Sequence, residues 1–393
     1  MFKNTTGLQN TAIGYAAMSE NLTGTANIAI GLEAMGLATS ASQNIAIGAQ
    51  SLLNATTGVK NTALGVQTLN LNTTGANNIA VGHSALKANL VGNSNVAVGI
   101  ESLFNNTASN NTALGETTLR QNTTGDRNCA FGAQALYNNT IGISNLGIGV
   151  LCGNQNTTGS NNTYIGDSAG YSNQTTSNNT GVGYQALNAN NAGTNNSALG
   201  YRAGQLITNG SNCTYLGANT TVTASNQVQL GDAATTTFAY GAVQNRSDVR
   251  DKSDIRDTEL GLEFVNALRP VDFKWDMRED YRIEAPIDPG LDATQEEKDA
   301  YIQAKETWIE DSKLKNIVSD GSKKRNRYHH GLIAQEVKSV IESHGIDFGG
   351  FQDHSIKGGD DVLSIGYVEL IAPLIKAVQE LSNKVTQLEN KLS

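Results

Sequence analysis

Ser247 and Lys252 are the residues of this chain whose types and spacing most directly suggest chemistry. A serine hydroxyl becomes a nucleophile when a base takes its proton. Lysine can be that base when desolvation or neighbouring cations lower its pKa. The two lie in the stretch Ser247-Asp-Val-Arg-Asp-Lys252-Ser-Asp-Ile-Arg256, where Arg250 and Arg256 offer such cations or a charge partner in a transition state. Ser–Lys dyads are a recognised variant of the triad logic. Five residues do not bring two side chains together on a regular helix or a flat strand. Either a bend intervenes or the lysine comes from an adjacent subunit, which would make the chemistry depend on assembly. Taken alone, a serine and a lysine in a charged stretch are ordinary solvated residues. His329-His330 offer an alternative base or orienter and, lacking other ligands, are not expected to hold a metal.

Little else in the chain reads as reactive. Glycoside cleavage needs two carboxylates at a controlled separation, and residues 1–246 hold seven scattered acids. Glu33, Glu101 and Glu116 fall at comparable places in a repeat and read as an exposed rim, and His83 as a surface residue. Cys129, Cys152 and Cys213 are an odd number without metal-like spacing, so neither a disulfide nor a catalytic thiol is expected. Cys129 reads as a small core or wall residue. No cofactor and no metal are expected.

The elements that must position Ser247 come in two kinds. Upstream, Asn, three residues, then Gly recurs with Gly at 14, 31, 48, 65, 82, 99, 115, 132, 149, 166, 183 and 200; a further copy ends at Gly217 with Cys213 in place of Asn. The spacing is 17 throughout except for 16 between Gly99 and Gly115. A fixed period of this length predicts stacked coils. The residue before each Gly is apolar (Ile13, Ile30, Ile47), the one before that is usually Ala, and a small residue then Leu or Met follow three and four later. Short β-branched stretches broken by Gly and Asn-Thr-Thr-Gly read as strand and turn. Stacking sets each Ile or Leu above its equivalent, the Asn suits a bend and a ladder, and the Gly a φ > 0 turn or close approach. Thirteen copies at ~4.8 Å per coil predict a rod of roughly 60 Å. Three chains about an axis would bury more of the Ala and Leu faces, which favours a trimer. Regular Thr rows raise an ice-binding alternative, but their column mixes Thr with Ile, Val, Leu and Cys.

Downstream the composition changes. Residues 1–246 carry seven Lys/Arg and seven Asp/Glu of the totals of 27 and 36, so the net −9 belongs to 247–393. All four Pro and both Trp lie there too. Neither part has the basic excess of a nucleic-acid binder, no apolar run spans a bilayer, and no standard secretion signal opens the chain. The predicted organisation is a rod at 1–230, a linker at 231–246, an α+β module at 247–370 and a coiled coil at 371–393. In that last segment Ile371, Val378, Val385 and Leu392, and Leu374, Leu381 and Leu388, are each spaced by seven. The Ile/Val and Leu pattern by itself leans towards two strands; three are expected because a short zipper follows its module. A helix folded on its own domain is the alternative. Leu260–Pro270 predicts a helix ended by Pro, Val271–Trp275 a strand, and 277–326 a charged insertion with a helix around Ala293–Ile317.

The phrase Asn10-Thr-Ala-Ile-Gly14 resembles the head repeats of trimeric autotransporter adhesins, which implies a left-handed parallel β-roll, although the period here is longer. The second part resembles the peptidase S74 family, the intramolecular chaperone of phage tail spikes and fibres also found in endosialidases. The residues that carry this are the Ser-Asp-x-Arg-x-Lys opening, Leu268-Arg-Pro-Val-x-Phe-x-Trp275, Gly331-Leu-Ile-Ala-Gln-Glu-Val337 and the closing heptads. The resemblance implies a trimeric chaperone that folds the upstream rod and then cuts itself off. It places the scissile bond at Arg246–Ser247, with Ser247 as nucleophile and Lys252 as base; Arg250, His329 and His330 would be accessory. The insertion and the basic residue before the cut are departures from relatives.

Near-identical coils pair slowly and slip easily between chains, since a 17-residue shift restores most contacts. A C-terminal trimer that aligns the chain ends suppresses that error. The expected protein is therefore a homotrimeric virion tail fibre or spike that attaches to a host-surface receptor, a glycan or an outer-surface protein, without membrane insertion or nucleic acid. Its C-terminal domain would leave in the host cytoplasm. The rivals are a cell-surface trimeric adhesin without catalytic activity, which would need a secretion signal and a membrane β-barrel, and a glycan depolymerase. A membrane-tethered transcription factor sharing the module would need a basic region and a transmembrane helix.

Overall fold

The computed structural model describes residues 3–205, 210–222, 224–232, 235, 249–283, 286, 289, 293–357 and 362–392. The chain divides into two compact units, Met1–Thr235 and Thr236–Ser393.

The first unit is a parallel β-solenoid. Three-residue strands from β1 (Thr11–Ile13) to β14 (Val228–Leu230) form one 14-stranded sheet in chain order. Thr11 faces Ile28, and Ile28 faces Ile45, so equivalent residues stack coil upon coil. Alternation along a strand sends the middle residue inward and its two neighbours outward. Ala29, Ala46, Ala63 and Ala80 are accordingly wholly buried, whereas Ile45 and Ile47 stay 38% and 40% exposed. The second inner column is the Met or Leu four residues after each Gly, such as Met35, Leu52 and Leu69, also wholly buried. The inner Ala and Leu columns, whose faces three chains were expected to bury further, are thus already buried within one chain. A single coil closes over both, and the apolar surface left open includes the outer face of the strands and turn residues such as Leu37 and Leu90.

Leu52 and Leu69 adopt φ near 50, in the left-handed region that L-residues seldom enter. Burial of the whole side chain, about 1.5–3 kcal/mol, offsets that strain. Gly14, at φ 124, is required twice over, because a Cβ there would also meet the carbonyl oxygen of Gly31 at 2.5 Å. The Asn ladder is present. The Asn27 backbone N–H donates to Asn10 Oδ1 at 3.0 Å, and the Asn27 side-chain amide donates to Ala41 O at 2.7 Å. The pattern repeats at Asn44, Asn61 and Asn78. At its end the Cys213 N–H still donates to Asn196 Oδ1 at 3.0 Å, which explains why that copy tolerates Cys. The turn threonines also serve the stack: Thr56, Thr73 and Thr123 Oγ1 each donate to a carbonyl one coil on.

Two irregularities are absorbed locally. Asn89 donates to Gly92 O three residues ahead, whereas Asn106 donates to Ala108 O two ahead. The short coil thus loses its residue in that turn, and Val96 still faces Thr112. In the middle of the core, Tyr164 replaces the usual Ala and is wholly buried. Its ring takes the space vacated where Gly153 and Gly170 replace the usual Leu; a Cβ on Gly170 would meet it at 2.5 Å. The last strand, β14, escapes the repeat pattern because Gly231 follows Gly217 by fourteen residues with Gln229 between.

The second unit is a small α/β region. In order it has α1 (Leu262–Ala267), β15 (Val271–Phe273), α2 (Gln295–Asp311), β16 (His329–Gly331), α3 (Ala334–His344), β17 (Phe351–Asp353), β18 (Leu363–Ile365) and α4 (Ile371–Leu392). The two antiparallel pairs are β15 with β16 and β17 with β18. Phe264, Val337, Phe348 and Leu370 form its core, with the Phe264 and Phe348 rings 5.5 Å apart. The helix expected over Ala293–Ile317 is shorter at both ends. Thr294 caps it in a reciprocal capping box with Glu297, and it stops at Asp311. Buried Trp308 fastens it by donating from Nε1 to Ile283 O at 2.9 Å.

Candidate functional site

Arg246 and Ser247 lie outside the described residues. The description resumes at a single helical turn, Val249–Asp251, in which the exposed Arg250 sits. Lys252 follows with an exposed side chain, its backbone N–H donating to Val249 O at 3.2 Å. Asp254 then takes φ 53. The described chain therefore turns at Val249–Asp251 and again at Asp254.

His329 and His330 occur on β16 and so point to opposite faces. His330 faces Asp272 across the strand pair, with Nδ1 2.6 Å from Asp272 Oδ1, and both are well exposed. His329 lies against the rings of Phe273 and Trp275, each 6.0 Å away. One histidine is thus partnered with a carboxylate and the other is a packing residue. Among the described residues no group of three His, Cys, Asp or Glu could hold a metal ion, and no helix is long and apolar enough to cross a membrane.

Two motif phrases of the sequence meet in space. The Arg269 guanidinium, from the Leu-Arg-Pro segment, pairs with the Glu336 carboxylate of Gly-Leu-Ile-Ala-Gln-Glu through two hydrogen bonds, one of them 3.0 Å. That pairing holds the Glu336 carboxyl below its ordinary range. Between them, residues 277–326 leave and return through a closed neck, where the Arg325 N–H donates to Trp275 O at 2.8 Å. Above the neck, Asp276 accepts from Gly321 N–H at 3.0 Å and from Tyr281 OH at 2.6 Å. The excursion behaves as an insertion because β15 and β16 pair directly beneath it.

Two residues that the sequence did not single out complete the scaffold. Tyr367 OH accepts the Leu332 N–H at 2.9 Å, and a Cβ on Gly331 would approach that hydroxyl to 2.5 Å. Glu380, on α4, accepts the Leu262 N–H at 2.8 Å. Both contacts join segments far apart in sequence, so no local pattern announces them. The heptad residues of α4 are exposed, with Val378 at 65% and Leu388 at 59%, while Ala377, beside Leu374 and Leu381 on the flank of that seam, is buried.

No curated protein matches the chain. A parallel solenoid followed by this α/β region fits a tail-fibre-type protein with an S74 chaperone domain. A family model does match residues 247–293, from the serine of the opening motif through β15 to just before α2: that of Peptidase_S74, chaperone of endosialidase, to which this segment is similar.

Proposed function

We propose that the chain is a homotrimeric tail fibre whose second unit aligns three copies, lets the coils stack in register, and then leaves by cutting the Arg246–Ser247 bond. In this reading Ser247 Oγ attacks the Arg246 carbonyl, Lys252 takes the hydroxyl proton and returns it to the departing amine of Ser247, and water releases the resulting ester. Because attacking oxygen and leaving nitrogen belong to the same residue, the first step is an N-to-O acyl shift. The solenoid at 1–230 and the linker at 231–246 remain on the virion, and the module at 247–370 and the heptads at 371–393 depart in the host cytoplasm. The rod then attaches the particle to a host-surface receptor, a glycan or an outer-surface protein. Loss of the aligning unit would leave a rod that unfolds slowly and refolds poorly.

The observation that carries the reading is the bare heptad face of α4 in a unit that contains the segment matched by the S74 model. Seven apolar side chains in coiled-coil positions face solvent in one chain, which is what a face awaiting identical partners looks like. The exposed Ile and Leu columns on the outer side of the solenoid strands favour the same stoichiometry. Expression of the chain beside Ser247→Ala tests the cut. The unmodified chain should give masses for pieces of 246 and 147 residues, and the variant should remain at 393. Two intact masses would remove the peptidase claim.

A further inference from the structure

We infer that Tyr184, Tyr201 and Arg202 form a platform on the flank of the solenoid that binds an acidic pyranose, with the sugar ring stacked on the outer face of Tyr201. The inference rests on the attachment reading and names what the rod would grip.

The position one residue after the repeat glycine changes from coil to coil, and Tyr184 and Tyr201 fill it in two consecutive coils. Their rings are 5.5 Å apart and 13° from parallel, so they stack along the coil axis while remaining 42% and 47% exposed. The next residue in that column is Ala218, whose neighbour Asn219 donates its N–H to Tyr201 O at 2.8 Å. An exposed methyl group cannot cover a phenol ring, so the face of Tyr201 away from Tyr184 is left uncovered by the described residues of that column.

Arg202 does not cover it either. Its guanidinium carbon is 5.1 Å from the Tyr201 centroid and 6.0 Å from that of Tyr184. With the rings themselves 5.5 Å apart, the three points form a nearly equilateral triangle, and the cation lies beside the stack rather than on its end. Several other rod cations have an acceptor: Lys3 has Glu20 at 2.6 Å, Lys87 has Gln67 at 3.0 Å and Arg120 has Glu101 at 2.6 Å. Arg202 has no carboxylate within ion-pair distance among the described residues, and its buried Nε has no hydrogen-bond partner.

One ligand chemistry answers both features. The C–H face of a pyranose stacks on an open aromatic ring, and a carboxylate on the same sugar matches the forked donors of a guanidinium. Asp167 occupies the column on the far side of Tyr184 and is engaged by Ser168 Oγ at 2.7 Å, so it stands at the opposite end from the incoming anion. A protein partner would find a better surface on the apolar strand columns than on this polar flank.

The test uses the full chain and a panel of oligogalacturonate, oligoglucuronate and oligomannuronate, each beside its methyl ester, with binding read by calorimetry. At least one acid should bind, and its ester about tenfold or more weakly, since esterification removes the charge-assisted bonds. Ala218→Tyr extends the ladder over the open face and should abolish binding without changing the melting curve. Arg202→Gln should lower the acid to the level of its ester. Absence of binding by every acid, equal binding of acid and ester, or full binding by Ala218→Tyr would each overturn the site. So would a change of oligomeric mass in Arg202→Gln with sugar binding intact, because a second copy would then supply the missing acceptor. Attachment of the fibre to cells that persists in Ala218→Tyr would sink this site and leave the attachment reading standing.

Discussion

The carboxylate of Glu380 accepts the backbone N–H of Leu262 at 2.8 Å across 118 residues of chain. It thereby satisfies a free donor at the start of α1 from the side of α4, and Gly261 makes room, since a Cβ there would meet the carboxylate oxygen at 2.5 Å. The heptad helix is thus fastened to the segment that opens the S74 match.

Glu380→Ala should lower the stability of the second unit by about 1–3 kcal/mol, the cost of leaving that donor unpaired. Glu380→Gln keeps an acceptor and should lose less. Thermal unfolding of the uncut Ser247→Ala background measures both, and the sequence of losses Ala greater than Gln is the outcome to look for. Equal melting of all three would mean that the contact contributes nothing.

The Tyr164 exchange gives a second prediction. Gly170→Ala puts a methyl group into the ring at φ 62 and should destabilise the solenoid by roughly 2–4 kcal/mol through overpacking and backbone strain. Tyr164→Ala should cost about 3–5 kcal/mol by opening a cavity. Adding Gly170→Leu to Tyr164→Ala restores the ordinary repeat and should recover most of that loss. Denaturant midpoints of the three variants would show whether the double variant is better than either single one.

Burial pushes the Cys152 thiol up to about 12, from an ordinary value of 9.0, and its Sγ donates to Tyr164 O at 3.1 Å. The folded state therefore holds this proton more tightly than the unfolded state. Stability from this group is fully present below about pH 9 and falls as the pH rises from there towards about 12. In the native protein a thiol reagent at pH 8 should label Cys129, which is partly exposed, before Cys152. Cys152→Ser should flatten the alkaline loss; an unchanged alkaline limb would assign it elsewhere.

Lys252 is predicted to act on the serine of its own chain, because the turn at Val249–Asp251 bends the backbone between the two positions. Co-refolding Ser247→Ala with Lys252→Ala chains distinguishes the cases. Within one chain neither variant is whole, and no cut product should form. A 147-residue product from the mixture would place the lysine across a subunit boundary.

The solenoid was legible because period, Asn and Gly each carry a backbone requirement that survives without tertiary context. What the sequence hid was facing. Ile45 and Ile47 look like core residues, but alternation turns both outward, and only the small Ala46 between them faces the narrow interior. A second amide ladder, with Asn89 donating to Asn72 Oδ1 at 2.9 Å and Asn122 to Asn106 Oδ1 at 2.7 Å, went unread because Ala38 and Ala55 interrupt its column. In the second unit the opening motif and the heptads were readable. The strand His329–Gly331 was not, since three residues carry no period, and Tyr367 and Glu380 act over distances that no local pattern encodes.

The amide oxygen of Asn10 receives its N–H from Asn27, and that of Asn27 from Asn44, always from the coil that follows. Every finished coil is thus a mould whose side-chain amide acceptor in this ladder is filled by the next. Growth on such a mould is directional and indifferent to how many coils came before. Fibre reach can then be lengthened or shortened in steps of seventeen codons, with no new contact to invent at either side of the splice.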